Sequence, residues 1–387
     1  MARILVLTTV HQAEDPRIRR RTVAVLASEH DVRYATKPPA PGPATGAANE
    51  GYEWVGLAGG RARRWLGGLR EALRGDVDLV SVHDPELIPA ALLTRLLRRR
   101  PVLVDVHEDV PGQIRTKEWL PALLRRPLAG GAAMLLRLAE RFAVITLAEP
   151  NYRHLFREEH PVLPNYPDPA QLPDPTDADG SVVYVGDVTE ARGAILAVHA
   201  VAALPDPTPL RLVGRCDPAL ARRLRDLAVD LAVDLHLPGF VPHPEAMALV
   251  SRAAVGLSPL ADIPNYRHSL PTKTLEYLAL GVPVVASDLP GTATVIGGLP
   301  GVELVPDRDV AAWTTAIARA ASDPAPRRAA REAAPTVRSR FTWPSAQLCE
   351  VYRGALGEAP ARLPDQAEGP LVRSRPRRYP RTRRGGE

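Results

Sequence analysis

In LPTKTLEYLALGVPVVAS, residues 270–287, Lys273 and Glu276 stand three residues apart at the start of a short helical pattern. Residues at that spacing share one face of a helix. The first turn also presents unpaired N–H groups and the positive dipole end, a natural seat for phosphate, and Lys273 adds a full charge there. A carboxylate such as Glu276 can accept two hydrogen bonds from a vicinal diol, as on ribose. The pair suits a nucleotide, with Lys273 toward a diphosphate and Glu276 toward the ribose. The same spacing also fits a solvated ion pair worth about 0.3 kcal/mol. Ser269 as N-cap and Pro271 in the first turn are the expected start of this helix.

The elements that must position this pair alternate along the chain. RILVLTT (3–9), DVRYAT (31–36), DLVSVH (78–83), PVLVDVH (101–107) and AVITLA (143–148) read as strands separated by helical patterns. After PNYPDPAQLPDPTDADG (164–180), full of Pro and Asp, the alternation restarts with SVVYVG (181–186), LRLVG (210–214), DLHLPGF (234–240), VGLSPL (255–260) and PVVAS (283–287). Val/Ile/Leu runs without strict alternation imply strands covered on both faces, as in parallel sheets between helices. The expected fold class is α/β, two doubly wound Rossmann-like domains facing across a cleft, with ligands beyond the carboxyl ends of the strands. The expected division is 1–163, a linker at 164–180, 181–340, a final helix in 341–357 that packs back toward the first domain, and a tail from 358 to 387.

Composition narrows the classes. The chain has 387 residues, 45% of them apolar and 24% charged, which suits a soluble protein of two domains. The formal charge is +5, but residues 371–387 carry seven arginines and one glutamate, so the rest is nearly neutral at −1. Nucleic-acid binding as the main task is not expected. A tail so rich in Pro and Arg is expected to be disordered. Two cysteines that form no CxxC pair imply a reduced, cytoplasmic setting. Neither a signal peptide nor a bilayer-spanning run is expected from the sequence. RARRWLGGLREALRG (61–75) could form a basic amphipathic helix on an anionic membrane, or a solvated surface helix. No GxGxxG follows a strand, and no Walker lysine, HExxH or Cys/His cluster appears, so neither a cofactor nor a metal is expected.

The 270–287 stretch resembles the nucleotide-sugar motif of family 4 glycosyltransferases, retaining enzymes of the GT-B fold. HQAEDPRIRR (11–20), VHDPELIPAALL (82–93), VDVHEDVPGQ (104–113), VGDVTEARG (185–193) and LPGFVPHPEAMALVSRAAVGLSPL (237–260) fall in that family's order. The resemblance implies a nucleotide-diphosphate sugar as donor and a hydroxyl compound, in some cases lipid-linked, as acceptor. It places the donor at Gly186, Arg192, Gly193, His268, Lys273, Thr274 and Glu276. His107 stands beside the reacting sugar, and His107, Arg192 and Lys273 are the implied catalytic groups. His11, Asp15, Arg17, Asp84 and Glu108 fall on the acceptor side, although Asp15 and Arg17 could equally pair with each other.

Two positions depart from the family pattern. His268 stands where a sugar-binding glutamate is usual. In the family's GRxxxxKG segment, Asp187 replaces the arginine and Arg192 the lysine. Asp187 could instead cap the next helix, and Lys273 could supply the missing charge. The implied activity is transfer of a sugar with retention. A nucleotide-sugar 2-epimerase and a nucleotide-binding scaffold without turnover fit the same residues.

Overall fold

The computed structural model describes residues 1–38, 51–117 and 120–358. The arginine-rich tail and most of the Pro/Gly-rich 37–51 loop lie outside them. β1 (Arg3–Leu7) leads through a π-helix (Pro16–Val23) and α1 (Ala24–Ala27) to β2 (Asp31–Thr36). Then come β3 (Glu53–Gly56), α2 (Arg61–Ala72), β4 (Leu79–Val82), α3 (Ile88–Arg98) and β5 (Val102–Val106). α4 (Val110–Thr116), α5 (Ala122–Phe142) and β6 (Val144–Leu147) complete the first half.

The second half runs β7 (Val182–Val185), α6 (Ala194–Ala202), β8 (Leu210–Val213), α7 (Pro218–Asp230), β9 (Leu235–Gly239), α8 (His243–Arg252) and β10 (Val255–Ser258). It continues with α9 (Pro264–Arg267), α10 (Thr272–Ala279), β11 (Val284–Ser287), α11 (Pro290–Ile296), β12 (Val302–Val305), α12 (Val310–Ser322) and α13 (Pro324–Arg340). α14 (Ser345–Leu356) ends the described chain.

Each half holds one six-stranded sheet, ordered β3-β2-β1-β4-β5-β6 and β12-β11-β10-β7-β8-β9, with every strand pair parallel. The two orders are the same doubly wound pattern. The central strands β1, β4 and β5 are buried along nearly their whole length, only Arg3 at the start of β1 being partly exposed, which explains their unbroken apolar runs. In such sheets the chain reverses direction between the first and fourth strands, here β1/β4 and β7/β10. That reversal opens a crevice at the carboxyl ends of these strands.

The third strand of the first sheet, β3, is an exposed edge of four residues without an apolar run, and sequence pattern alone misses it. The start of α10 also differs from expectation. Pro271 is its N-cap, and the Ser269 hydroxyl bonds the Tyr266 carbonyl instead of capping the helix. α2 packs inward: Trp65 joins the core and donates Nε1–H to Glu86 O at 2.9 Å, and Leu69 and Leu73 are half-buried. Most of its apolar face is therefore turned into the first half, with Leu66 left exposed, which favours the surface-helix reading of 61–75 over a membrane-seated one.

α14 crosses back to the first half. Trp343, Leu348 and Tyr352 pack in one cluster with Ile4, Val6 and Leu79, and the Tyr352 hydroxyl bonds Ser81 Oγ at 2.7 Å. The halves also meet at residue 165. Asn165 O accepts from Thr272 Oγ1 at 2.8 Å, and Asn165 Oδ1 accepts from Arg21. Thr272 is the first residue of α10, so the connecting segment holds the helix that carries Lys273 and Glu276.

Candidate functional site

In the second half, three loops and α10 converge on Gly186. Gly186 follows β7 with φ +134°, where a side chain would be strained. A Cβ built there would lie 3.0 Å from Lys273 Nζ and 3.6 Å from an Arg192 guanidinium nitrogen. Gly214, after β8, packs so tightly that its Cβ would lie 1.9 Å from Gly186 O. The glycines thus let two strand-end loops touch backbone to backbone beneath a pair of cations. Arg192 reaches the site from the single-turn helix after β7. It donates Nε–H to the Tyr266 hydroxyl at 3.3 Å, and Asp187 lies 4.0 Å away. Asp187 is not the cap of that turn; the Thr189 side chain accepts from Arg192 N–H instead.

The Lys273 ammonium is buried, has no hydrogen-bond partner and sits 3.7 Å from the centroid of the Tyr184 ring. Burial, and then the neighbouring Arg192 charge, hold its pKa well below the usual lysine value. An unpaired buried ammonium is costly, and a bound anion is the partner that such a group lacks. Tyr184, inside β7, fixes the same loop by donating its hydroxyl to Asp187 O at 2.9 Å. Glu276 is one helical turn on and buried, its Oε1 3.0 Å from His243 Nε2 at the start of α8. One carboxylate oxygen is therefore anchored.

The other expected donor-side residues differ. Thr274 is fully buried, and its hydroxyl bonds Pro271 O at 2.8 Å, so its side chain is committed to its own helix. Gly193 is required sterically, because a Cβ there would lie 2.2 Å from Pro259 O. The His268 side chain is exposed, just after α9.

The first half contributes a charged cluster at the ends of β1, β4 and β5. Asp105, buried within β5, receives two guanidinium bonds from Arg17 (3.0 and 2.9 Å), the Thr146 hydroxyl (2.8 Å) and His107 Nε2 (2.6 Å). Arg17 also donates to Leu163 O at 2.8 Å. This overturns Arg17 as an acceptor ligand and also its pairing with Asp15, since its guanidinium is consumed inside the half.

Asp15 caps the π-helix and binds His11 Nδ1 at 3.1 Å. Asp84 is buried and accepts from the Thr8 hydroxyl and the Thr9 and Val10 N–H groups. Asp84 therefore shapes the loop after β1, with His11 Nε2 3.4 Å away. Glu108 is exposed and accepts from Gln113.

The His11 and His107 rings meet edge to face at 5.5 Å. Burial opposes charge on both. Asp15, with Asp84 and Glu108, outweighs it at His11 and raises the pKa, whereas burial prevails over Asp105 at His107 and lowers the pKa. The Asp15 carboxyl is held down to about 2 against the pull of burial, chiefly by His11.

His83, Asp105 and His107 place ligand-type atoms within 4.8 Å of one another. The Arg17 guanidinium already pairs with Asp105, and His107 Nε2 contacts the same carboxylate at 2.6 Å. These groups form a hydrogen-bonded charge network. Removing a partner from a buried ion pair leaves an uncompensated charge, so Asp105→Asn should destabilise the protein by about 3–5 kcal/mol, read as a lowered urea midpoint. An unchanged midpoint would show the network to be dispensable.

Sequence reasoning passed over several of these residues. Asp105 is a carboxylate inside an apolar strand, which was the available signal. Glu149 follows β6, where the strand-end rule would have drawn attention to it. Burial pushes its carboxyl up to about 7, opposed by the nearby Leu270 N–H of the second half. Tyr184 and His243 carried no signal of their own.

Residues 179–323 match the family described as Glycosyl transferases group 1. The D-inositol 3-phosphate glycosyltransferase of Corynebacterium kroppenstedtii is 33% identical over 191 residues, 46% of this chain and 41% of that one. The chain thus spans less than half the length of that curated relative. Sucrose-phosphate synthase from Thermosynechococcus elongatus superposes with a TM-score of 0.74 at 19% identity, covering 92% of this chain and 100% of that one. Anabaena Alr3699/HepE, solved in complex with UDP-glucose, gives 0.69 at 14% identity, with the same coverage of both chains. The two parallel six-stranded sheets superpose on these solved structures and define the GT-B fold, and within it residues 179–323 match the Glycosyl transferases group 1 family.

Proposed function

We propose that the protein is a retaining glycosyltransferase of the family 4 type. It would move a sugar from a nucleoside diphosphate sugar to a hydroxyl acceptor, in the biosynthesis of a glycan or a decorated metabolite. The observation that carries this reading is the convergence of the Lys273 ammonium and the Arg192 guanidinium on the side-chain-free space at Gly186, with Glu276 one turn away. Bond breaking at the anomeric carbon leaves charge on the departing diphosphate, and fixed cations in a dry site stabilise it as it develops. Arg192 and Lys273 would hold that leaving group, and the free oxygen of Glu276 would take the ribose diol. No metal is needed in this arrangement, because two side chains supply the charge.

On the facing half, His11 and His107 would line the acceptor side, with His268 near the sugar. The lobes would close around the donor and exclude water. A cytoplasmic setting, with a peripheral seat at the inner face of a membrane, belongs to the same reading.

A thermal-shift panel of UDP, GDP, dTDP and ADP tests it. The preferred diphosphate should stabilise by about 2.7 kcal/mol at a hundredfold excess over Kd. No shift with any of the four would refute the donor site. Donor turnover that needs no acceptor would instead identify an epimerase.

A further inference from the structure

Helices α3 and α5 pack against each other on the outside of the first half. Leu124, Leu128, Met134, Leu138 and Phe142 of α5 are all exposed, Met134 by 71%. At 100° per residue these five fall within about 120° of the helix circumference, a continuous apolar stripe along the element. Leu93, Leu96 and Leu97 form a second exposed apolar face on α3, with Leu96 76% exposed. Scattered surface leucines need no explanation, but two apolar stripes on neighbouring helices do.

The charges beside these stripes have one sign. Residues 88–100 carry four arginines and no carboxylate, and residues 120–142 carry four arginines and only Glu140. Glu140 is already occupied, accepting from the Arg157 and Glu158 N–H groups at 2.8 and 2.9 Å and contacting His160 at 3.0 Å. Arg126, Arg137 and Arg141 flank the α5 stripe, and Arg95, Arg98 and Arg99 extend from α3, all exposed. A second copy of this face would bring cation against cation. An apolar stripe edged by arginines matches a bilayer whose headgroups are negative.

We infer that the α3–α5 face is a docking surface for an anionic lipid bilayer. The tie to a lipid-linked acceptor rests on the transferase reading, while the surface itself does not. α4 begins three residues after His107 and leads directly into α5, so the N-terminal end of the stripe lies on the cleft side of the half. Docked there, the protein would hold its acceptor side next to the headgroup layer, within reach of a hydroxyl on a lipid-anchored glycan.

Co-sedimentation of the full chain with phosphatidylcholine vesicles, with and without phosphatidylglycerol, tests the inference. The wild type should bind only the anionic vesicles. The triple variant Leu128→Ser, Met134→Ser, Phe142→Ser and the double variant Arg137→Gln, Arg141→Gln should each bind about tenfold more weakly. Both variants should keep the wild-type thermal shift with nucleoside diphosphate, which separates a failed surface from a failed donor site. Absence of wild-type binding to anionic vesicles would overturn the inference. So would undiminished binding by both variants, which would assign the attraction to the basic tail. A concentration-dependent dimer abolished by the triple variant would overturn it in favour of a second copy.

Discussion

Lys273→Met should raise the melting temperature and lower turnover by about a hundredfold or more. In the free protein the Lys273 ammonium is buried against Tyr184 with no hydrogen-bond partner. Methionine fills a similar volume without the desolvation cost, and replacing buried charge by well-packed apolar groups commonly stabilises by about 1–4 kcal/mol. The cation–π contact offsets part of that gain. Turnover should move the other way because, on the proposed mechanism, the leaving diphosphate would lose one of its two fixed cations. Calorimetry and steady-state kinetics on one preparation check both directions. A lower melting temperature with unchanged kcat would remove Lys273 from the site.

The depressed pKa of Lys273 adds a pH signature. The cause is burial first and Arg192 second, with Glu276 and Asp187 opposing. On the proposed reading, a bound diphosphate would supply the missing counter-charge and raise the pKa again. Binding above the free-state pKa therefore takes up a proton. Affinity should be greatest below that pKa and weaken as pH rises through it. Calorimetric titration in buffers of different ionisation enthalpy would show proton uptake in the wild type and none in the Lys273→Met variant.

Glu276→Ala should weaken nucleoside diphosphate binding by about a hundredfold, since hydrogen bonds to a charged group are worth about 1.5–3 kcal/mol each. A diphosphate whose ribose lacks both hydroxyls should bind wild type and variant alike. That comparison separates a lost diol contact from disturbance of His243, which anchors Glu276 at 3.0 Å. Equal losses with both ligands would mean that Glu276 only shapes the helix.

Much of the fold was legible because both sheets are parallel and covered on both faces. Their central strands, such as RILVL and VLVDV, announce themselves as short apolar runs. β3 escaped because an exposed edge strand has no such run. The spacing of Lys273 and Glu276 was readable because α10 fixes which side chains share a face. The setting of Lys273 was not, since Tyr184, Gly186 and Arg192 come from β7 and the turn after it.

Arg17 illustrates the opposite failure. Its place in a loop after β1 suggested a ligand contact, yet Asp105, 88 residues away, claims the guanidinium. Ser269 failed as a cap for a local reason: Pro271, nearer the helix, already serves as N-cap, and the serine hydroxyl finds the Tyr266 carbonyl instead. Residue type and spacing name candidates, while contacts distant in sequence decide which of them are free.

The return of α14 to the first half has a consequence for synthesis on the ribosome. Trp343, Leu348 and Tyr352 fill the core beneath β1 and β4, strands made more than 250 residues earlier. The first sheet emerges early in translation with one face covered only in part, by Ile18, Val23 and Leu26, and stays so until the last described helix has left the exit tunnel. The earliest part of this molecule to be made is therefore among the last to be finished.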